Sequence, residues 1–303
     1  MKIRQILLLT GLCVLVSSCY GKINFDPEPW YHDNSDNDNR ESFFAMSFNV
    51  RYQSSADTGI KAWAKRKEGV YEMIRTLHPE TFGVQEMDEE QLSDLLSALP
   101  EYAVVKGEWS GVINSGAYNS IFYLKDSLEV ENSATFWLSD TPDVISAVPG
   151  CTNYRIATWG IFRKKKSGSR FIHLNTHLEN GSQIKHDNIR YQEMVALTAR
   201  MELINAESLP WVMTADWNTG ESDPIFNTII EDLGAISARA TAKRSDNNRT
   251  FNNYGTTSTA QYDHIFYGGF AAASEFKTVT QRWAGLAFIS DHYPVYAVLR
   301  FKR

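Results

Sequence analysis

From Phe43 to Phe301 the chain is a succession of short apolar runs of strand length, some joined through helical stretches and some directly through turns. "FFAMSFNV" has Phe44, Met46, Phe48 and Val50 on one side and Ser47 and Asn49 on the other, the period of a strand. "AWAKRKEGVYEMIRTLH" carries Trp63, Val70, Met73, Ile74 and Leu77 at helical steps and stops at His-Pro. "TFGVQEM" predicts a strand, and "DEEQLSDLLSAL" a helix begun by Asp88. "YAVVKG", "NSIFYL" and "LEVENSATFWL" are further strands, and "RIATWGIF" with "RFIHLNTHL" predicts a hairpin. Met194, Leu197, Met201 and Ile204 mark a long helix. "PWVMTAD" is a buried strand, "DPIFNTIIEDLG" a helix from Asp223 and Pro224 to Gly234, and "QYDHIFY" and "YPVYAVLRF" the last strands. Strands arriving both as hairpins and as strand–helix units do not fit a purely parallel doubly wound sheet. They fit an α/β fold of two mixed β-sheets packed face to face with helices outside, one domain over residues 42–303.

The amino-terminal residues follow a different logic. "MKIR" supplies two cations, "QILLLTGLCVLV" is an apolar run shorter than the ~20 residues of a spanning helix, and "SSC" follows. Residues 1–18 have the form of a secretory signal peptide, and "VSSC" resembles the bacterial lipobox, which implies cleavage before Cys19 and lipidation of its sulfur. The mature chain is then expected outside the cytoplasm, anchored to a membrane through Cys19. With Cys13 lost and Cys19 modified, Cys151 has no disulfide partner, so the fold must be held by its core. Residues 19–41, rich in Asp, Asn, Ser and Pro, read as a solvated tether; "DNSDNDN" lacks the glycine and distal glutamate of an EF-hand loop.

The formal net charge is −6, and a nucleic-acid binder usually shows a basic footprint. The one dense basic cluster, "RKKKSGSR" from Arg163 to Arg170, falls between two strands and reads as an exposed hairpin tip. Nucleic acid is therefore not the favoured partner. A monomer is expected.

Several strand ends carry polar groups a strand does not need: Asn49, Glu86, Arg155, His177, Asp216 and Asn218, Asp263 and His264, Asp291 and His292. Singly each is an edge or capping residue. Together they are the types that bind a hard divalent cation and a phosphate. Hydrolysis of a phosphoester requires neutralising the phosphoryl charge, aiming a water in line and helping the leaving oxygen depart. Mg²⁺ accepts carboxylate and amide oxygens, which Glu86, Asp291 and Asn49 can supply. Asp216 and Asn218, two apart on an extended chain, project the same way, the first to orient a water and the second to hold a phosphoryl oxygen through its amide N–H.

"SFNVRY", "VQEM", "NTHL", "TADWNTG", "YDHIFY" and "SDHYPV", in that order, resemble the endonuclease/exonuclease/phosphatase superfamily from about Met46 to Val295. The resemblance implies a four-layer α/β sandwich that hydrolyses phosphoesters with Mg²⁺ or Mn²⁺. It implies that Glu86 binds the metal, with Asn49 and Asp291 beside it. It implies that Asp216 and Asn218 are the "GDxN" pair, with Ala215 at the usual glycine, and that His177 lies beside the scissile phosphate. His292 then matches the late histidine, Asp263 the carboxylate that holds it, and Arg155 a phosphate-binding arginine in a looser motif. His292 is left as general base or cationic stabiliser. His264, His173, His186, Trp159 and Trp217 read as structural, and "SATFWLSDTP" as core rather than a lipid-seeking hairpin. A nuclease acting on extracellular DNA or RNA and a non-catalytic binding module are the alternatives. The substrate is a phosphoester of unspecified class.

Overall fold

The first strand, β1 (Ser42–Asn49), is buried on both faces because its alternation feeds two separate apolar clusters, Phe44, Met46 and Phe48 on one side and Phe43 and Ala45 on the other. A computed structural model describes residues 38–107, 118–151, 153–181, 184–256 and 259–303; the expected signal peptide, Cys19 and the tether as far as residue 37 lie outside them. After β1 come α1 (Trp63–Leu77), β2 (Thr81–Gln85), α2 (Glu89–Ala98), β3 (Tyr102–Val105), β4 (Ile121–Leu124) and β5 (Leu128–Trp137). Then follow β6 (Ile156–Lys164), β7 (Arg170–His177), α3 (Ile184–Ile204), β8 (Trp211–Asp216) and α4 (Asn227–Leu233). The chain closes with β9 (Ile236–Ser237), α5 (Ala238–Thr241), β10 (Asp263–Gly268), β11 (Ala272–Thr278) and β12 (Val295–Arg300).

Local chemistry sets several boundaries. Asp88 and Gln91 form a reciprocal capping box that starts α2. His78, left-handed at φ 51° and followed by Pro79, ends α1. Asp223 caps a 3₁₀ turn at Pro224–Phe226 that runs into α4, and Gly234 at φ 62° closes it.

The strands form two six-stranded mixed sheets, ordered β11-β12-β1-β2-β4-β3 and β5-β6-β7-β8-β10-β9. Each holds one parallel pair, β1 with β2 and β7 with β8, among antiparallel neighbours. Helix residues Val70, Ile74 and Leu92 pack on the outside of the first sheet, and Met194, Leu197, Met201 and Ile229 on the outside of the second. Phe43, Phe162, Phe171, Ile265 and Phe276 fill the space between the sheets. This is the four-layer sandwich. β11 escapes a reading by alternation because a bulge between Ala273 and Glu275 breaks its period, and the short β9 and α5 sit in a loop without apolar periodicity.

Between β1–β2 and β7–β8 the filling turns polar. Asn175 Nδ2 donates to the carbonyls of Val84 (2.8 Å) and Ser120 (3.1 Å), and its Oδ1 accepts from Gln85 (2.7 Å) and Thr214 (3.0 Å). His173 spans the sheets between the hydroxyls of Thr81 (2.9 Å) and Thr214 (2.8 Å). Gly83 permits this approach: a Cβ there would lie 2.2 Å from Thr214 Oγ1 and 2.4 Å from Asn175 Oδ1. Gly83→Ala is expected to cost about 3 kcal/mol by overpacking, read as a shifted denaturation midpoint.

Burial holds His173 down at about 3. The unfolded chain binds this proton near 6.5 and the folded one refuses it, so stability is complete above the unfolded value and falls as pH drops below it. In His173→Asn the loss of stability between about pH 7 and about pH 5 should shrink by about 2 kcal/mol, measured by urea denaturation at the two pH values.

Candidate active site

One rim of the sandwich collects the strand ends. His177 and Asp216 close β7 and β8 side by side in parallel register, and Asp263 opens β10 directly across from Asp216. Asn49 closes β1, and Glu86 follows β2, its parallel neighbour. β12 runs antiparallel to β1, so Asp291 and His292 just before it stand at the same rim; Arg155 does so just before β6, which runs antiparallel to β7. Three residues that leave these strands, Arg51, Glu86 and Asn218, have positive φ of 59°, 61° and 54°. Non-glycine residues are held in that region only where surrounding contacts over-determine the turn, and such residues cluster at functional sites.

Asp216 is the hub. Its Oδ1 accepts the Asn218 backbone N–H (2.9 Å) and its Oδ2 the Asn49 amide (2.9 Å), while His177 Nε2 lies 3.5 Å and His292 Nε2 3.6 Å from Oδ2. His292 Nδ1 donates to Asp263 Oδ2 at 2.8 Å. Burial works against charge on His292, yet the carboxylates of Asp263, Asp216 and Asp291 outweigh it and raise the imidazole well above its ordinary value. His177 goes the opposite way: burial, then the positive charges of Arg155 and His292, hold it well below, so it is neutral. Burial pushes the Asp216 carboxyl up to about 7 against the pull of His292.

Two amides at the rim are held by protein partners. Asn218 Nδ2 donates to the Leu178 carbonyl (2.9 Å) and to neutral His177 Nε2 (2.9 Å), so both amide protons are engaged and a phosphoryl oxygen would have to displace one acceptor. Asn49 Oδ1 accepts from the Arg51 backbone (3.0 Å), and its Nδ2 reaches Glu86 (3.2 Å) as well as Asp216. Asn49 Nδ2 thus bridges two carboxylates.

Glu86 and Asp291 converge on one cation, the Arg51 guanidinium, at 3.9 and 3.8 Å. Both carboxylates stand at the same part-open rim and offer the hard oxygen atoms that divalent ions take as ligands. Ligand atoms of Asp216, Asp263 and His292 also lie within 4.8 Å of one another, but His292 Nδ1 is already committed to Asp263. Arg155 faces inward against Glu179 (3.3 Å), close enough to His177 to depress its pKa.

Sequence reading missed a supporting segment. Thr250 Oγ1 accepts the N–H groups of Tyr262 and Asp263, Phe251 bridges to His292 with ring centroids 5.0 Å apart, and Asn252 and Asn253 donate to the Asp291 carbonyl. Ser290 Oγ donates to the Asn49 carbonyl at 2.7 Å. "TFNNY" and "SDH" are small polar-aromatic words whose partners lie far away in sequence, so only Asp291 and His292 stood out. His264, expected to be structural, is buried and pairs with the Thr219 carbonyl, and Trp217 Nε1 donates to the His264 carbonyl.

The model of the Endonuclease/Exonuclease/phosphatase family matches residues 46–292. An endonuclease/exonuclease/phosphatase of Bacteroides vulgatus is similar at 27% identity and TM-score 0.78, over 87% of this chain and 100% of that one. A mannosyl-6-phosphatase of Bacteroides thetaiotaomicron is similar at 25% identity and TM-score 0.79, over 86% of this chain and 100% of that one. The human Nocturnin catalytic domain, at 19% identity and TM-score 0.68 over 87% of this chain and 96% of that one, shares the fold. No curated protein matches the sequence.

Cys151 donates to the Asn153 carbonyl and to Glu179, with Glu193 beyond, and burial with these carboxylates raises its thiol far above the ordinary range. Such a thiol is inert. The folded protein should react with a disulfide reagent at pH 7 at least ~10-fold more slowly than the denatured chain, and Cys151→Ser should leave turnover unchanged.

Proposed function

The chain belongs to the Endonuclease/Exonuclease/phosphatase family, and on that footing we propose that it is a divalent-metal-dependent phosphoesterase whose substrate is a small polar phosphoester, a sugar phosphate in the first instance. The observation that carries the reading is Asp216 set between neutral His177 and cationic His292, at 3.5 and 3.6 Å, on the rim shared with Glu86 and Asp291.

In this reading Asp216, fixed through both oxygens by Asn218 and Asn49, orients and deprotonates the attacking water. His292, kept cationic by Asp263, faces the phosphoryl oxygens and stabilises the charge that grows there. Arg155 and His177 line the next side of the cleft. Glu86 and Asp291 would hold Mg²⁺ or Mn²⁺, which when bound supplies Lewis-acid charge against the phosphoryl and leaving oxygens.

Two observations support a small substrate over a nucleic acid. The mannosyl-6-phosphatase, named for a sugar phosphate, is similar at 25% identity, above the 19% of the Nocturnin domain. Three of the five cations of the basic hairpin are ion-paired, which lowers its free positive charge: Arg163 pairs with Glu129 and Glu131, Lys164 with Glu41 and Glu80, and Arg170 with Glu131 and Glu207. It also lies at the opposite end of β7 from His177, roughly 23 Å away along the strand.

Export and lipid anchoring through Cys19 belong to the same proposal, supported by the lipobox-like "VSSC". Among the described residues no helix is long and apolar enough to cross a membrane.

The test is phosphate release from mannose 6-phosphate and glucose 6-phosphate, beside hydrolysis of bis-p-nitrophenyl phosphate and oligonucleotides, with Mg²⁺ or Mn²⁺ and with chelator. Chelation should abolish turnover, and His292→Ala and Asp216→Ala should each lower kcat at least ~100-fold at a temperature where circular dichroism shows both variants folded. Absence of metal-dependent turnover on every substrate would make the protein a binding module, and a preference for oligonucleotides a nuclease.

A further inference from the structure

Arg51 is the cation at the metal-ligand end of the cleft. Its backbone is pinned on three sides: its N–H donates to Asn49 Oδ1 (3.0 Å), and its carbonyl accepts from Gln91 Nε2 (2.8 Å) and from buried Arg66. The left-handed turn at φ 59° that these contacts enforce sends the side chain back across the rim. The guanidinium there meets three carboxylates at once. Its Nε lies 3.1 Å from Asp57 and 3.8 Å from Asp291, and its Nη1 3.9 Å from Glu86, while the Tyr52 ring covers it at 4.4 Å. Only the contact to Asp57 is a hydrogen bond. The longer pair involves the two carboxylates assigned above to the metal.

Carboxylates that converge at a half-buried rim repel one another unless a cation lies between them. We propose that Arg51 is the resident counter-ion of Glu86 and Asp291: it holds them together in the metal-free protein, a divalent cation binds in competition with it, and Asp57 retains the guanidinium at the edge of the cleft. A divalent ion that binds oxygens at about 2.0–2.1 Å outcompetes a guanidinium held at 3.8 and 3.9 Å, but it does so against a positive charge that stays nearby. The tight bond to Asp57 gives the arm a resting place when its longer contacts are lost. The inference rests on the metal reading of Glu86 and Asp291 and on no assumption about turnover.

Mg²⁺ and Mn²⁺ binding is measured by calorimetry on the wild type, Arg51→Gln and Arg51→Lys, without substrate. Arg51→Gln should bind metal roughly 10-fold more tightly, and its metal-free melting temperature should fall below wild type by a gap that saturating Mg²⁺ closes. Arg51→Lys, which keeps the charge, should stay within about 3-fold of wild type. Metal binding that is unchanged or weaker in Arg51→Gln overturns the proposal alone; no metal binding in any variant overturns it together with the metal reading. Should Arg51→Gln fail to fold, the wild type decides. Its Arg51 Nε–H NMR signal, identified by its loss in Arg51→Lys, should shift along the Mg²⁺ isotherm, and a signal unmoved at saturation overturns the proposal.

Discussion

The closeness of the two sheets at Gly83 governs this molecule. Most of the interior between them is aromatic and aliphatic. Where β2 crosses β7 and β8, the missing side chain of Gly83 lets Thr214 and Asn175 come in, and the amide of Asn175 satisfies groups from both sheets at once. Both side-chain polar atoms of Asn175 are engaged, and buried hydrogen-bond networks of this kind rigidify a fold and specify its register. A slip of one residue in either sheet would swap these polar side chains for apolar ones and leave the amide unpaired.

From that clamp the rim follows. β1 and β2 come from one sheet, β7 and β8 from the other, and their carboxyl-terminal ends finish together. The antiparallel neighbours β6, β10 and β12 begin there, so a side chain just before or at the start of each joins the same cleft. Asn49 ties the sheets chemically, its amide nitrogen donating to both Glu86 and Asp216. Burial disfavours charge on both histidines of the cleft, and the neighbouring charges do the remaining sorting. Two histidines close to one carboxylate take opposite states, because His292 has Asp263 behind it and His177 has Arg155.

How much of this was legible in the sequence varies from residue to residue. Asp216 and His292 stood out because a carboxylate or an imidazole at the mouth of an apolar strand has no use in the strand itself. The boundaries of α1, α2 and α4 were legible in Pro79, Asp88 and Gly234, because caps act over a few residues. β11 was not, since its bulge removes the period that identifies a strand. Arg51 went unremarked in "SFNVRY" because an arginine after a strand is ordinary until three carboxylates from distant segments surround it. Asn218 was recognised as a site residue, but the direction of its amide depends on Leu178 and His177, which come from another strand end.

By itself, then, the sequence determined the kinds of element, their order and the chemical types available at their ends, because periodicity, caps and turns are properties of neighbouring residues. Tertiary structure alone decided which of those groups share a cleft, which histidine carries charge, and which cation sits against Glu86 and Asp291. Those outcomes depend on distances between segments and on desolvation, and neither exists until the two sheets have closed on each other.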